Sequence, residues 1–279
     1  MASPTVQQRR LARALRHLRE DAGLTIEEVA EKLEISASTV SRMETAQVGV
    51  QPRDLRDLLD IYGVSGTQRE QLLATTRESR KRRWWQEYKD LPNIPLAGLE
   101  DEASAIWQYS TQLVPGLLQT EAYARAVLGA IRVDAKAAEI ERRLELRTRR
   151  QAVLTRDTPP EFWAVLDEAV VRRQVGGPMV MGEQLQHLVD AGRLPNVTIQ
   201  VLPFSSGAHA GMDGEFTILH YRDREDPDVV YIENTGGDLY VERPEATRRY
   251  NSIFDRLRAA AQDPDASLRT LADLQSQLQ

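Results

Sequence analysis

Leu11, Leu15, Leu18 and Ala22 recur at helical spacing with Arg9, Arg13, Arg16 and Arg19 between them, which predicts an amphipathic helix over residues 6–22 with a basic side. Gly23 ends it. Thr25 then stands as the N-cap of a second helix, with Glu28 three residues on to complete a capping box and Val29, Ala30 and Leu33 facing inward. Ser36 caps a third, short helix that turns Val40 and Met43 inward. Pro52 opens a fourth, whose buried stripe is Leu55, Leu58, Leu59 and Tyr62 and whose stop is Gly63. A fifth is predicted over about 67–80, running into "SRKRRWWQEYKDLPNIP".

Past Pro92 and Pro95 the pattern changes. Residues 97–131 and 136–156 read as helices. Beyond Pro159 and Pro160 the period shortens, and "FWAVLD", "NVTIQVLPF", "EFTILHY", "DVVYIEN" and "DLYVE" are β-branched and aromatic runs bounded by Gly, Pro, Asn and Asp, the pattern of strands. A helical stretch, 179–192, separates the first two, and helices over 244–261 and 264–278 close the chain.

Charge sharpens this division. Residues 1–83 hold 15 Lys+Arg and 12 Asp+Glu, net +3, and the remaining residues 21 and 30, net −9, together the −6 of the 279-residue chain. A mildly basic head on an acidic body is where phosphate contacts would concentrate. The absence of cysteine removes thiolate chemistry and Cys-ligated metal sites, and four scattered histidines do not suggest a metal centre. Neither a signal-peptide core nor a membrane-length apolar run is visible, so the expectation is a cytoplasmic protein with no metal and no cofactor.

The stretch "GLTIEEVAEKLEISASTVSRMETA" has the form of a helix-turn-helix. Ala30 is small where the two helices cross, Ile35 plugs the turn, and Val40 and Met43 bury the back of the second helix. Its outward face is Ala37, Ser38, Ser41 and Arg42. The plainer alternative is that Ser and Thr only cap and solvate a surface helix. The arginine-lined first helix and the bundle-closing helix after Pro52 weigh against that.

Residues 9–64 resemble the Cro/CI-type (XRE) helix-turn-helix, most specifically in "LT-x-EEVA-x-KL-x-IS-x-STVSRME". The remainder, through "YSTQLVPGLLQTEAYARAV", "FWAVLDEAVVRRQVGGP" and "VVYIENTGGDLYVE", is similar to the C-terminal domain of WhiJ-like actinobacterial regulators. That resemblance implies a DNA-binding, antitoxin-like regulator, often encoded beside a small partner protein. It also implies base contacts from Ala37, Ser38, Ser41 and Arg42, with Arg42 the strongest reader, and a phosphate contact from Thr39. The arginine-lined first helix and capped helix ends add Arg9, Arg13, Arg16 and Thr25 as phosphate contacts. Two positions depart from the pattern. Ile26 replaces a polar phosphate anchor, and Ala46 stands where glycine commonly ends the recognition helix, which calls for a different cap or a strained left-handed alanine. Glu44 reads as structural, tying the following loop.

The expected architecture is α+β overall. A five-helix all-α DNA-binding domain (1–80) is followed by a connector (81–96) and a C-terminal α+β domain (97–279) with one mostly antiparallel sheet, which regulates or interacts. The expected function is sequence-specific transcriptional regulation by a homodimer on double-stranded DNA, with no membrane partner. The alternatives are an antitoxin-like module that sequesters a small protein and a small-molecule-sensing regulator. Other signals have plainer readings. "SRKRRWW" reads as a solvated connector helix, and "PFSSGAHAGMDGEF" as a hairpin lacking the Gly-Lys-Ser/Thr of a phosphate loop. Asp167, Glu168, His209, Glu215 and Glu233 can be assembled into an acid–base set, but strand-end carboxylates usually pair with arginines such as Arg172 and Arg173. No catalytic residue, and no enzyme, is expected.

Overall fold

The computed structural model describes residues 6–79, 84–88, 90–91, 94–132, 135–223, 226–234 and 237–278. The chain divides into two compact units, Met1–Asp90 and Leu91–Gln279. Arg80, Lys81, Arg82 and Arg83 of the basic run, and Pro92 of the connector, lie outside the described residues.

The first unit contains α1 (Val6–Asp21), α2 (Ile26–Lys32), α3 (Ala37–Glu44), α4 (Pro52–Ile61) and α5 (Gly66–Ser79). The apolar positions close on one another as their spacing requires. Leu11 and Leu15 of α1, Val29 and Ala30 of α2, Val40 and Met43 of α3, and Leu55, Leu58 and Leu59 of α4 form one buried cluster, with Leu18, Leu33 and Ile35 packed against it. Pro52 sits in the first turn of α4, and Gly63 takes φ 70° just past its end, a left-handed conformation open to glycine without strain.

The second unit runs α6 (Ile94–Glu102), β1 (Ala105–Ser110), α7 (Glu121–Ile131), α8 (Ala137–Gln151), β2 (Glu161–Asp167), α9 (Glu168–Arg172), α10 (Pro178–Ala191), β3 (Val197–Leu202), β4 (Phe216–His220), β5 (Val229–Ile232), β6 (Leu239–Val241), α11 (Pro244–Ala260) and α12 (Pro264–Ser276). The stretch 97–131, expected to be helical, holds β1 between α6 and α7. One six-stranded sheet has the order β3-β2-β1-β4-β5-β6. It is mixed and not mostly antiparallel. β1 pairs parallel with β2, and β2 with β3, whereas β4, β5 and β6 add antiparallel to the other side of β1. The cause is connectivity: α7 and α8 carry the chain from β1 to β2, and α9 and α10 from β2 to β3, so each strand restarts at the same edge.

On one face Tyr109, Val165, Leu202, Phe216, Ile218 and Val230 pack with Phe254 and Leu257 of α11. Alternation sends the equally buried Ile106, Ala164 and Ile199 to the opposite face. Ala124, Leu128 and Leu144 join α7 to α8.

Candidate nucleic-acid interface

The α2–α3 pair is fixed by its caps. The Thr25 backbone N–H donates to Glu28 Oε2 at 2.8 Å and the Glu28 N–H to Thr25 Oγ1 at 3.2 Å, the reciprocal bonds of a capping box. The donation from the Thr25 backbone holds the Glu28 carboxyl below its ordinary range. Between the helices Glu34 takes φ 54°, and the Ile35 N–H returns to the Ala30 carbonyl at 3.0 Å, so the turn is tight. Ser36 Oγ accepts from the Thr39 N–H at 3.3 Å and starts α3.

α3 has two unlike sides. Val40 and Met43 are 1% and 5% exposed in the core, whereas Ser38 and Arg42 are exposed and Ala37, Thr39 and Ser41 are intermediate. The Arg42 guanidinium lies back along its own helix, Nε donating to the Ser38 carbonyl at 3.3 Å and Nη2 to Thr39 Oγ1 at 3.4 Å. Both bonds are long and exposed, so a ligand can replace them at little cost.

The other expected contacts are spread unevenly. Arg16 is exposed, paired with Glu20 at 2.8 Å, and Arg13 is intermediate. Thr25 is exposed at the start of α2. Arg9 is buried at 8% exposure, while the adjacent Arg10 is exposed, so Arg9 is not presented to solvent as Arg13 and Arg16 are. Ala46 adopts φ 57°, so the helix ends in a left-handed alanine; its N–H reaches the Met43 carbonyl at 3.2 Å and the Val48 N–H the Arg42 carbonyl at 3.2 Å.

Glu44 is structural but ties a different element from the one expected. Its carboxylate accepts two bonds from Arg19 of α1, at 2.7 and 3.0 Å, and Arg19 Nη1 also donates to the Leu24 carbonyl at 2.8 Å. The bond to Glu44 holds the Arg19 guanidinium above its ordinary range. This pair sets α3 against α1 with both charges buried. The two residues are far apart in sequence, and no local motif announces them.

In the second unit, Asp167 accepts from the Ala169 N–H at 2.8 Å and caps α9. Glu168 pairs with Arg172 and accepts from the Phe204 N–H at 2.7 Å. His209 Nδ1 accepts from the Gly211 N–H at 3.2 Å, and its Nε2 lies 3.9 Å from Asp167. Burial pushes the Glu215 carboxyl up, against the N–H of Thr111 at 3.4 Å. Glu233 follows β5 and is exposed. Asp167, Glu168 and His209 thus lie together at the end of β2, Asp167 also serving as a cap and Glu168 paired with Arg172.

A capped, rear-packed second helix with a polar face behind a tight turn defines a helix-turn-helix DNA-binding regulator, and residues 10–72 match the family model of a helix-turn-helix domain. Residues 95–273 match the model of a domain of unknown function, DUF5753, and the chain belongs to that family. No curated protein and no solved structure matches it. Among the described residues no helix is long and apolar enough to cross a membrane, and no group of three or more His, Asp or Glu is placed to hold a metal ion.

Proposed function

We propose that α3 reads base edges in the major groove as the recognition helix of a homodimeric, cytoplasmic transcriptional regulator, and that the second unit receives a signal or a small partner protein. The observation that carries this reading is the two-sidedness of α3, with Val40 and Met43 in the core and Ser38 and Arg42 in solvent. Arg42 pairs with a guanine edge, Ala37, Ser38 and Ser41 supply shorter contacts, and Arg13, Arg16, Thr25 and Thr39 bind phosphates; the buried Arg9 is left out of the set. A single short helix spans few base pairs, so doubling across a two-fold axis is the economical route to specificity. The protein acts by binding and not by catalysis, in keeping with the pairing of Glu168 to Arg172 and the use of Asp167 as a cap.

Arg42→Ala and Arg16→Ala test this together. The first is expected to lose about 1–3 kcal/mol on the cognate duplex and to relax preference at one base pair per half-site. The second is expected to weaken all sequences alike and to lower the salt slope by about one unit. Binding to the cognate duplex and to single-base variants, with circular dichroism to check folding, separates the two. An unchanged preference profile for Arg42→Ala overturns the recognition-helix reading.

A further inference from the structure

β1 and β2 run parallel in the register Ser110↔Leu166, and β2 and β3 in the register Asp167↔Leu202, so the three strands end side by side. The strand order reverses at β1, with β2 and β3 on one side and β4 on the other. In open sheets with parallel strands, ligands bind outside the carboxyl ends where the order reverses. Residues 203–215 join the end of β3 to the start of β4, and must therefore pass over the carboxyl ends of β2 and β1. Gly211 lets them lie close, since a Cβ there would stand 2.5 and 2.9 Å from Cε1 and Cζ of Tyr109, the hydroxyl end of that ring.

Three polar atoms gather under this crossing with no hydrogen bond among the described residues. Asp167 uses Oδ1 to accept from the Ala169 N–H at 2.8 Å and turns Oδ2 toward His209 Nε2 at 3.9 Å, beyond hydrogen-bond reach. His209 Nδ1 accepts from the Gly211 N–H at 3.2 Å, which leaves the proton on Nε2 and no free lone pair on the ring. The set is therefore suited to binding and not to proton abstraction. The Tyr109 ring stands edge-on to His209 at 6.0 Å and is 1% exposed, and its hydroxyl forms no hydrogen bond among the described residues. Burial pushes that phenol up, so it stays a neutral hydroxyl. None of the three atoms is sealed in the interior.

The pattern of donors and acceptors selects the ligand. A carboxylate oxygen accepts, an imidazole N–H donates and a phenol does either, which matches groups that donate and accept at once, namely hydroxyls. An ammonium group only donates and would meet the His209 N–H head on. An anion is disfavoured, because Glu168 and Glu215 lie at the same end, accepting from the N–H groups of Phe204 at 2.7 Å and Thr111 at 3.4 Å, and Arg172 is already bound to Glu168. Phe204 and Met212 of the crossing segment, 58% and 69% exposed, add apolar surface beside these polar atoms.

We infer that Asp167, His209 and Tyr109 form a binding site for the hydroxyls of an uncharged sugar ring, free or in a nucleoside, at the carboxyl ends of β1 and β2. A hydroxyl between Asp167 and His209 donates to Oδ2 and accepts from Nε2–H, and a neighbouring hydroxyl reaches Tyr109. This gives a ligand class to the receiving role proposed for the second unit, and rests on that reading for its consequence at DNA.

The test titrates the full chain, without DNA, with ribose and with adenosine, each beside its phosphate monoester, by calorimetry and thermal unfolding. Saturable binding of at least one uncharged probe is expected, with its phosphate weaker; adenosine alone assigns a nucleoside, and ribose a free sugar. Asp167→Asn keeps an oxygen for the α9 cap but sets an amide N–H opposite His209, and is expected to weaken that binding about tenfold or more. Tyr109→Phe keeps the ring against Gly211 and Phe216 and is expected to weaken it about fivefold with the fold retained, which preserves the test should Asp167→Asn not fold. Absence of saturable binding of both uncharged probes overturns the inference. So does tighter binding of the phosphates, as does equal binding by wild type and both variants. Binding that meets these expectations but leaves operator affinity unchanged keeps the site and removes the receiving role instead.

Discussion

The Arg19–Glu44 pair shows how a residue beside the proposed recognition surface can serve the fold instead. Glu44 immediately follows the polar face of α3, yet it is 8% exposed and bound twice by Arg19. Removing one partner leaves a buried charge uncompensated, whereas replacing both with apolar groups does not. Glu44→Ala is therefore expected to destabilise the first unit by about 3–5 kcal/mol, and Arg19→Met with Glu44→Leu to recover most of that, both read by urea denaturation. Because Arg19 is held above its ordinary range, its contribution is complete at neutral pH and fades only as pH rises through the raised value. A Glu44→Ala variant as stable as wild type would show the pair to be incidental. At this scale the sequence was legible where partners are near neighbours: the Thr25–Glu28 box and the inward Val40 and Met43 follow from spacing alone. The Arg19–Glu44 bond and the burial of Arg9 depend on tertiary placement, which spacing does not encode.

Among the elements, the end of α3 makes the sharpest prediction. Ala46 occupies a left-handed conformation at φ 57° where its Cβ crowds the backbone, and the turn has no glycine to relieve it. Ala46→Gly keeps the bonds to the Met43 and Arg42 carbonyls while removing that crowding, at the expense of a freer unfolded chain. The net expectation is a gain of about 1 kcal/mol, measured by chemical denaturation, with DNA affinity unchanged; a loss of stability would mean that the alanine methyl contributes packing which outweighs the strain. The strands β2 to β6 were legible because β-branched runs stand between Gly, Pro, Asn and Asp. β1 was not. "AIWQYS" lies between "GLEDEAS" and "TEAYARAV", both helical in composition, and no Pro or Gly separates it from the end of α6. Its identity comes from pairing with β2 on one side and β4 on the other, a non-local cause.

Missing β1 also hid the topology of the whole molecule, since it is the strand about which the order reverses and on which the parallel half of the sheet is built. What was legible at this scale was the contrast between a basic head, helical among the described residues, and an acidic body with strands. Each unit holds its own apolar cluster: Leu15, Val29, Val40, Leu55 and Leu59 in the first, and Tyr109, Val165, Phe216, Phe254 and Leu257 in the second. Cutting between residues 90 and 91 leaves both clusters whole, so fragments 1–90 and 91–279 are each expected to unfold cooperatively when isolated. The first should keep the base preference of the full chain, because the proposed reading face is entirely on α3. If the second unit supplies the dimer contact, fragment 91–279 will sediment as a dimer, and fragment 1–90 will sediment as a monomer and bind a two-half-site operator at least about tenfold more weakly, since the two half-sites are no longer linked. Sedimentation of both fragments together with operator titrations decides the matter. A dimeric 1–90 fragment with full affinity would move the dimer contact into the helical unit and leave the second unit free to serve as a receiver of signals alone.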